Sequence, residues 1–280
     1  MKIGIVGLGL MGGSIASALK SRHEIFAYDL NPEAVDYAVS QGMIHRGCST
    51  PQALFAVSEI IYLCLYPKEV VKFIQIYQKD LLPGTILVDI SGVKQTLIRQ
   101  VTEIIRPDID VVFTHPVAGR EKKGVAFAKA EIFVGANYIV VPTEKNTPSH
   151  LETVRRLALE MGFKTVSDLS AEDHDAIIAY TSQLTHVLSL ALVDSDDLRL
   201  DTKRFIGDSY RDLTRIAMIN EVLWTELFLA NKNQLLERIK NFQTSLDKYV
   251  DLLETDDAAG LQQLMIETRT KRATIETGDK

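Results

Sequence analysis

The sequence has few cysteines and no block of basic residues. Its 280 residues include only 2 Cys, Cys48 and Cys64, which do not form a C-x-x-C pair. Two cysteines cannot build the disulfide framework of a secreted domain, so we expect a cytoplasmic protein. Lys and Arg number 31 against 37 Asp and Glu, a formal net charge of −6, and no basic block of five or more residues occurs. We therefore expect neither nucleic acid nor a membrane surface as a partner.

The sequence also lacks an uninterrupted apolar run near its start. A membrane-spanning helix needs about 20 strongly apolar residues. Residues 3–19 are mostly apolar but contain five glycines: Gly4, Gly7, Gly9, Gly12 and Gly13. We therefore expect neither a membrane span nor a secretory signal peptide there. A composition of 46% hydrophobic residues is that of a globular protein, and the length predicts about two domains at roughly 150 residues each.

Short apolar segments alternate with helical segments through the first half of the chain. β-branched and aliphatic runs separated by helices of about ten residues are typical of βαβ units and of a parallel sheet covered by helices on both faces. The sequence therefore predicts an α/β domain over residues 1–168. The predicted strands are 2–6, 24–28, 60–64, 85–89 and 111–114, with 138–141 and 164–166 as edge strands.

Glycine becomes scarce in the last part of the chain, where only three of the 16 glycines follow residue 171. Apolar residues there follow helical spacing, which predicts an all-helical domain over residues 169–280. One stripe steps by 4, 3, 4, 3 and 4 through Leu235, Ile239, Phe242, Leu246, Tyr249 and Leu253. This stripe faces either the core of its own domain or a partner helix in a homodimer.

A glycine-rich turn, Gly7-Leu8-Gly9-Leu10-Met11-Gly12, follows the first predicted strand and opens a helix. In this context G-x-G-x-x-G is the fingerprint of a Rossmann-type dinucleotide-binding domain, because the helix N-terminus presents backbone N–H groups to a pyrophosphate. Asp29 ends the second predicted strand, where a carboxylate accepts hydrogen bonds from ribose hydroxyls. No Arg or Lys occurs from Asp29 to Gln41 to accept a 2′-phosphate, so NAD is favoured over NADP.

Polar residues follow three predicted strands, at the sheet edge where such folds bind their ligands. The segments are Asp89 to Lys94, Thr114 to Gly124, and the residues around Cys64 and Tyr66. We expect Cys64 and Tyr66 to line the nicotinamide pocket. His115 is the best acid–base candidate among the six histidines, because it leaves a predicted buried strand at this edge; the alternative is a structural histidine. No metal site is expected.

Two groups of polar residues stand out in the helical half. Ser182 and His186 lie four residues apart and so share one helix face. Arg211, Asp212 and Arg215 occur in an otherwise apolar segment. The arginines form either a solvated salt-bridge face or a site in which a partly buried Arg215 binds a substrate carboxylate.

Taken together, these motifs resemble those of the prephenate/arogenate dehydrogenase family of tyrosine biosynthesis. The resemblance implies an N-terminal dinucleotide-binding domain joined to a C-terminal helical domain that forms a homodimer. The matching segments are ordered as in the family and are specific as a set: residues 7–14, Asp89 to Lys94, His115 to Gly119, His174-Asp175, Ser182 to His186, and Arg211 to Ala217 with Trp224 after it.

The resemblance implies NAD-dependent oxidative decarboxylation of a cyclohexadienyl substrate, prephenate or alternatively arogenate. Hydride leaves the ring carbon that bears the hydroxyl, the ring carboxylate leaves as CO2, and the ring becomes aromatic. His115 matches the histidine that hydrogen-bonds this hydroxyl, and it must be neutral to act, so activity is expected to fall at acid pH.

The resemblance also implies roles for other residues. Arg215 matches an arginine that binds a substrate carboxylate, with Asp212 orienting it. Ser182 and His186 match positions that bind the substrate side chain, and Glu121 matches an acid near the pocket entrance. The family's usual Gly-Ser-Val-Lys reads Ser91-Gly92-Val93-Lys94 here, so Ser91 is the candidate to replace the displaced serine.

Two further functions are compatible with the glycine-rich turn. It also resembles that of the β-hydroxyacid dehydrogenases, in which a lysine of the second domain is catalytic; Lys203 would then be the essential residue. A protein of a different class, a non-catalytic NAD-sensing regulator, would bind NADH without turnover. The presence of His115 together with Arg215 argues against the regulator, whereas loss of turnover in Lys203→Ala but not in His115→Asn would identify the β-hydroxyacid dehydrogenase type.

Overall fold

The structure, a computed structural model, describes residues 1–119, 122–197, 199 and 201–277. An eight-stranded sheet has the order β3-β2-β1-β4-β5-β6-β7-β8. The order of the first six strands, 3-2-1-4-5-6, is that of doubly wound dinucleotide-binding domains. The strands are β1 Lys2–Val6, β2 Glu24–Tyr28, β3 Arg46–Gly47, β4 Ile60–Leu63, β5 Ile86–Asp89, β6 Asp110–Val117, β7 Asn137–Val141 and β8 Thr165–Asp168.

The strands of this sheet bury side chains on both faces. In β4, Ile60 and Tyr62 pack into one hydrophobic cluster, whereas Ile61 and Leu63 pack into a second. Successive side chains of a strand point to opposite faces, so the two clusters lie on the two sides of the sheet. This confirms the prediction of a sheet covered on both faces.

The sheet differs from the sequence prediction in two respects. Strands β1 to β6 are parallel, but β7 pairs with β6 in antiparallel fashion, and β8 runs parallel to β7. The described part of the connection from β6 to β7 contains two 3-10 turns, Val125–Phe127 and Ala130–Phe133, where a right-handed crossover would place a helix. The short edge strand β3 was not predicted, because two residues carry no periodic signal.

Helices cover the sheet and continue through residue 277. Four of them begin with proline in the first turn, where its missing N–H leaves no hydrogen bond unmade. The helices are α1 Leu10–Leu19, α2 Pro32–Ser40, α3 Pro51–Phe55, α4 Pro67–Tyr77, α5 Gln95–Ile104, α6 Pro148–Glu160, α7 Ala171–Ile178, α8 Leu184–Asp194, α9 Asp208–Thr214, α10 Glu221–Ala230, α11 Lys232–Glu254 and α12 Ala258–Thr277.

The chain divides into two compact units, Met1–Lys232 and Asn233–Lys280. The first contains the sheet and helices α1 to α10, and the second contains nearly all of α11 together with α12. The predicted apolar stripe lies on α11, as its spacing indicates. Within this chain Leu235 is buried, but Leu246 is 52% exposed and Leu253 is 62% exposed.

The helical run formed by α7 and α8, Ala171–Asp194, is long and apolar enough to cross a membrane by length and composition alone. A π-helical turn, Ala179–Gln183, joins the two helices. The run nevertheless buries hydrogen-bonded polar side chains, including Asp175 and Gln183. Only 28% of the apolar window is buried, and these buried polar groups are paired as they are in globular domains.

Candidate active site

Three glycines shape the turn between β1 and α1, and the structure shows why a side chain is absent at each position. Gly7 has φ +93°, and a Cβ there would lie 2.5 Å from the Cys64 carbonyl oxygen. A Cβ on Gly12 would lie 1.9 Å from the Gly7 carbonyl oxygen. A Cβ on Gly9 would meet no described atom within 4 Å. The protein itself therefore requires Gly7 and Gly12, whereas Gly9 leaves open space for a ligand to approach the backbone.

The N-terminus of α1 and the carboxylate of Asp29 meet at this turn. Within the described residues no side chain caps the helix, so the first-turn N–H groups, including those of Leu10 and Met11, face the position expected for a phosphate. Asp29 Oδ2 accepts a hydrogen bond from the Leu8 backbone N–H at 2.5 Å, and Oδ1 accepts one from Asn31 N at 2.7 Å. Each carboxylate oxygen keeps a further lone pair for a ribose hydroxyl.

Cys64 and Tyr66 follow β4 on the other side of the turn. A Cβ on Gly12 would lie 3.2 Å from Cys64 Cβ, so this thiol lies directly behind the glycine-rich turn. Burial raises the pKa of the Cys64 thiol, which keeps it neutral and unreactive at physiological pH. The Tyr66 hydroxyl accepts a hydrogen bond from Asn220 Nδ2 at 2.6 Å, and Asn220 caps α10. This hydrogen bond connects the segment after β4 to the helical half of the chain.

His115 lies near the carboxyl end of β6 and contacts a second histidine. Its Nδ1 is 2.9 Å from Nε2 of His174, which is fully buried on α7. His174 Nδ1 is 2.8 Å from Asp175 Oδ1. The three side chains form a chain that we call the His115–His174–Asp175 triad. The triad connects strand β6 to α7, which is the first helix after the last strand of the sheet.

Asp175 also binds the start of α5. Its Oδ1 accepts from Lys94 N and its Oδ2 accepts from Gln95 N, each at 2.9 Å. Two backbone N–H groups at a helix N-terminus favour a carboxylate. Asp175 is 1% exposed, so this carboxylate is held by fixed protein donors.

The electrostatic environment keeps both histidines of the triad neutral. The pKa of His115 lies well below its ordinary value, because burial disfavours the cation and because His174 and Lys94 lie nearby. Burial also lowers the pKa of His174, and Asp175 only partly opposes that effect. A neutral imidazole is the form that accepts a proton.

The segment after β5 forms a buried polar cluster beside His115. Lys94 Nζ donates to Asp89 Oδ2 and to the Ser91 carbonyl oxygen, both at 2.6 Å, and the Lys94 side chain is fully buried. The Ser91 hydroxyl donates to Asp89 Oδ1 at 2.6 Å. A Cβ on Gly92 would lie 3.6 Å from His115 Nε2. Gly92 is therefore the residue of this segment that lies beside Nε2 of His115.

His186 and Ser182 lie together on the α7–α8 run. His186 Nδ1 is 2.9 Å from the Ser182 carbonyl oxygen, and the imidazole stacks on Trp224 of α10 with ring centroids 3.7 Å apart. Ser182 belongs to the π-helical turn. Such turns often occur at functional sites. The contact joins the His186 ring to the Ser182 backbone, so a face shared by the two side chains stays a prediction.

The arginine segment lies differently from the prediction. Arg211 pairs with Asp208 on α9, and Arg215 starts a 3-10 turn, Arg215–Ala217. Arg215 is exposed in the single chain, so the expected partial burial is wrong. The apolar neighbours do not cover it, because Leu213 is itself 64% exposed. Asp212 is exposed as well, and Glu121 lies outside the described residues.

The structure brings His115, Gly92 and the Asp89–Lys94 cluster together. The sequence did not predict that His174 and Asp175 contact this group; His174-Asp175 was recognised only as one of the matching segments, and it lies in the first part of α7. One signal was available. His174 and Asp175 follow a serine that caps the helix. If both side chains are buried they need polar partners, because buried polar groups are hydrogen-bonded.

Comparison with known families assigns both halves of the chain. The model "Prephenate dehydrogenase, nucleotide-binding domain" matches residues 15–167, and "Prephenate dehydrogenase, dimerization domain" matches residues 170–267. Prephenate dehydrogenase of Bacillus subtilis is 29% identical over 265 residues, which cover 92% of this chain and 71% of that protein.

Solved structures show the same likeness over nearly the whole chain. Prephenate dehydrogenase from A. aeolicus, in complex with hydroxyphenyl propionate and NAD+, has a TM-score of 0.89 and 28% identity over 98% of both chains. Arogenate dehydrogenase from Synechocystis has a TM-score of 0.83 and 26% identity, covering 98% of this chain and 100% of that one. Similarity at this level extends to both domains and to their arrangement in the chain.

Proposed function

The chain belongs to the prephenate dehydrogenase family, and on that premise we propose that it catalyses NAD-dependent oxidative decarboxylation of prephenate to 4-hydroxyphenylpyruvate. The observation that carries the proposal is the environment of His115. A neutral imidazole lies near the end of β6, with Nε2 beside Gly92 and a dinucleotide-binding turn at the same edge of the sheet.

The cofactor is NAD. The turn that Gly7, Gly9 and Gly12 shape, with the amides of Leu10 and Met11, would hold its pyrophosphate. Asp29 would bind its ribose, and Cys64 and Tyr66 would line the nicotinamide side. The open space at Gly9 and the uncapped N-terminus of α1 fit such a ligand. When bound, NAD supplies a hydride acceptor.

His115 would accept the proton of the substrate hydroxyl at Nε2 as hydride leaves the same carbon. Loss of that proton makes the carbon–oxygen bond a carbonyl, into which the electrons of the departing carboxylate can move. The carboxylate leaves as CO2, the ring becomes aromatic, and the oxygen that receives the electrons takes the proton back from His115 to form the phenol. A base of lowered pKa is ready to accept a proton at neutral pH.

Other residues would hold the substrate or the residues around it. Arg215 would bind a carboxylate of the substrate, and Asp212 would orient Arg215. His186 and Ser182 would bind the substrate side chain. Glu121 would lie near the entrance of the substrate pocket. We assign Ser91 a positioning role, because its hydroxyl proton is used by Asp89. Exposure of Arg215 in the single chain fits a site that is completed on substrate binding or on dimerisation.

We also propose a homodimer, formed through the helical domain, in the cytoplasm. The match to a dimerisation domain and the exposed apolar stripe of α11 support this assembly. We place the boundary between the two domains at residues 168/169. The family models change between residues 167 and 170, which supports this position.

Initial rates with prephenate and arogenate, each with NAD and NADP, test the proposal. We expect the highest kcat/KM with prephenate and NAD, and a lower value with NADP because Asp29 repels a 2′-phosphate. A higher kcat/KM with arogenate would assign the chain to the alternative substrate. Binding of NADH without turnover of either substrate would overturn the enzymatic function.

A lysine-based mechanism has its own test. Lys203 lies exposed in a 3-10 turn, Thr202–Phe205. We expect Lys203→Ala to retain turnover and His115→Asn to lose it. The opposite pattern would assign the chain to the β-hydroxyacid dehydrogenase type.

A further inference from the structure

The His115–His174–Asp175 triad fixes which nitrogen of His115 carries its proton. We propose that His174 and Asp175 are positioning residues that hold His115 as the Nδ1–H tautomer, so that Nε2 is the unprotonated acceptor for the substrate hydroxyl. The catalytic role of this tautomer rests on the proposed function. The tautomer itself follows from the contacts within the triad.

The direction of each hydrogen bond follows from Asp175. Both of its oxygens already accept backbone N–H groups, from Lys94 and Gln95, so the carboxylate acts as an acceptor. His174 Nδ1 must then donate to Asp175 Oδ1, across the 2.8 Å that separates them. A neutral imidazole that donates from Nδ1 has a lone pair at Nε2.

His115 is the next group in the chain. Its Nδ1 faces the His174 Nε2 lone pair at 2.9 Å, so His115 Nδ1 donates. The lone pair of His115 is consequently at Nε2, the nitrogen that lies beside Gly92. A tautomer set by a carboxylate through hydrogen bonds is a device that acid–base catalysis uses elsewhere, and a wrong tautomer there costs orders of magnitude in rate.

Protonation of His174 would reverse this arrangement. A cationic His174 donates from both nitrogens, which forces His115 Nδ1 to accept and moves its proton to Nε2. The groups that face the pair are Lys94, whose positive charge opposes protonation, and Asp175 and Asp89, whose negative charges favour it. The acid limb of activity therefore belongs to the two histidines as a coupled pair.

The triad also links the two halves of the sequence. His115 lies on the sheet, whereas His174 and Asp175 lie on α7, beyond the boundary that the family models mark. Asp175 simultaneously binds the N-terminus of α5. The helical half therefore determines the tautomer of His115, and it also contains the residues proposed to contact substrate.

Nitrogen-15 NMR of the full-length protein, with NAD but without substrate, tests the tautomer directly. Assignment uses the loss of signals in His115→Asn. We expect His115 protonated at Nδ1 and unprotonated at Nε2 at neutral pH. A proton on His115 Nε2 would overturn the proposal. Because no turnover is needed, the result is independent of whether prephenate is the substrate.

Two variants of His174 add a kinetic test. His174→Phe removes the acceptor, and we expect mixed His115 tautomers and a kcat about 100-fold lower, with KM for NAD unchanged. His174→Gln keeps an acceptor oxygen, and we expect it to recover most of that kcat and to shift the acid limb of the kcat profile.

The control variant is Asp173→Asn, which removes an exposed carboxylate from the same helix without touching the triad. It should leave kcat and the tautomer as in the wild type. If His174→Phe leaves both unchanged while the protein stays folded, the positioning role is wrong. If that variant does not fold, the wild-type NMR measurement and His174→Gln still decide.

Discussion

At the scale of single residues, the three glycines of the β1–α1 turn have roles that their spacing alone does not separate. The sequence motif treats Gly7, Gly9 and Gly12 alike. In the structure two of them are required by contacts within the protein, and Gly9 alone faces open space. Stability and cofactor affinity should therefore depend on different members of one motif.

Substitution of two of these glycines should separate fold from binding. Gly9→Ala should leave the thermal unfolding midpoint unchanged, because φ is −84° and no described atom is close, yet weaken NAD binding at least about tenfold. Gly12→Ala is the matched comparison. It should destabilise the fold by about 1–3 kcal/mol, because its methyl would overlap the Gly7 carbonyl oxygen. Calorimetric NAD titration and thermal unfolding measure the two effects; equal losses of affinity and stability in both variants would contradict this assignment.

His115 and Arg215 should affect different kinetic constants. His115→Asn removes the proton acceptor and should lower kcat by about 100-fold or more, with little change in KM. Arg215→Ala removes a carboxylate-binding group and should mainly raise KM for prephenate. Steady-state kinetics under saturating NAD measures both constants. An exchange of the two effects would refute the assigned roles.

The individual site residues differ in how far sequence could predict them. Gly9 and Asp29 follow from local spacing, because one strand and one helix place them. The contact between His115 and His174 joins residues 59 positions apart, so it depends on packing that no local pattern reports. The exposure of Arg215 was mispredicted for a related reason: apolar neighbours in sequence indicate burial only when another element covers them.

At the scale of elements, the spacing of apolar residues and the local composition predicted most strands and the long helix α11, because the pattern of each extends over several residues. The antiparallel β7 was not predictable, since strand direction depends on the connection before it. What covers the α11 stripe was not predictable either. The same spacing serves a core helix or an interface helix.

A charge on the α11 stripe should test the dimer. Leu246→Lys places a cation on the stripe, where Leu246 is 52% exposed, and should convert dimer to monomer in light scattering after size exclusion. Burying an unpaired charge in an interface is costly. Thr244→Lys is the control, because Thr244 is exposed and its hydroxyl donates to Lys240 O of the same helix. An unchanged mass for Leu246→Lys would exclude the stripe as the interface.

At the scale of the whole molecule, composition predicted a cytoplasmic protein of about two domains, and the net charge of −6 disfavoured polyanionic partners. That charge gave no information about the site, since NAD and prephenate are anions themselves. Local features supply the positive potential. One is the N-terminus of α1, and in the proposed site the guanidinium of Arg215 would be another; the effect of each is confined to its surroundings.

The buried neutral histidines should make global stability depend on pH. The pKa values of His115 and His174 lie below the ordinary value of 6.5 in the folded state, so the unfolded chain binds more protons as pH falls through and below 6.5. The free energy of unfolding should therefore be highest above pH 6.5. It should decrease below that pH, by about 1.4 kcal/mol for each pKa unit of depression.

Urea unfolding between pH 5 and 8 measures this dependence. The double variant His115→Asn with His174→Gln replaces both titrating groups by neutral amides and should show a flatter curve below pH 6.5. An equally steep decrease in wild type and double variant would assign the acid destabilisation to other groups.

The central claim is that His115 serves a reaction in which oxidation and decarboxylation of prephenate occur together on this chain. The most direct measurement is the stoichiometry of NADH formed and CO2 released from prephenate, followed in parallel for the wild type and His115→Asn. We predict one CO2 for each NADH in the wild type, and a proportional loss of both products in the variant. NADH formation without CO2, or full activity of His115→Asn, would contradict the account.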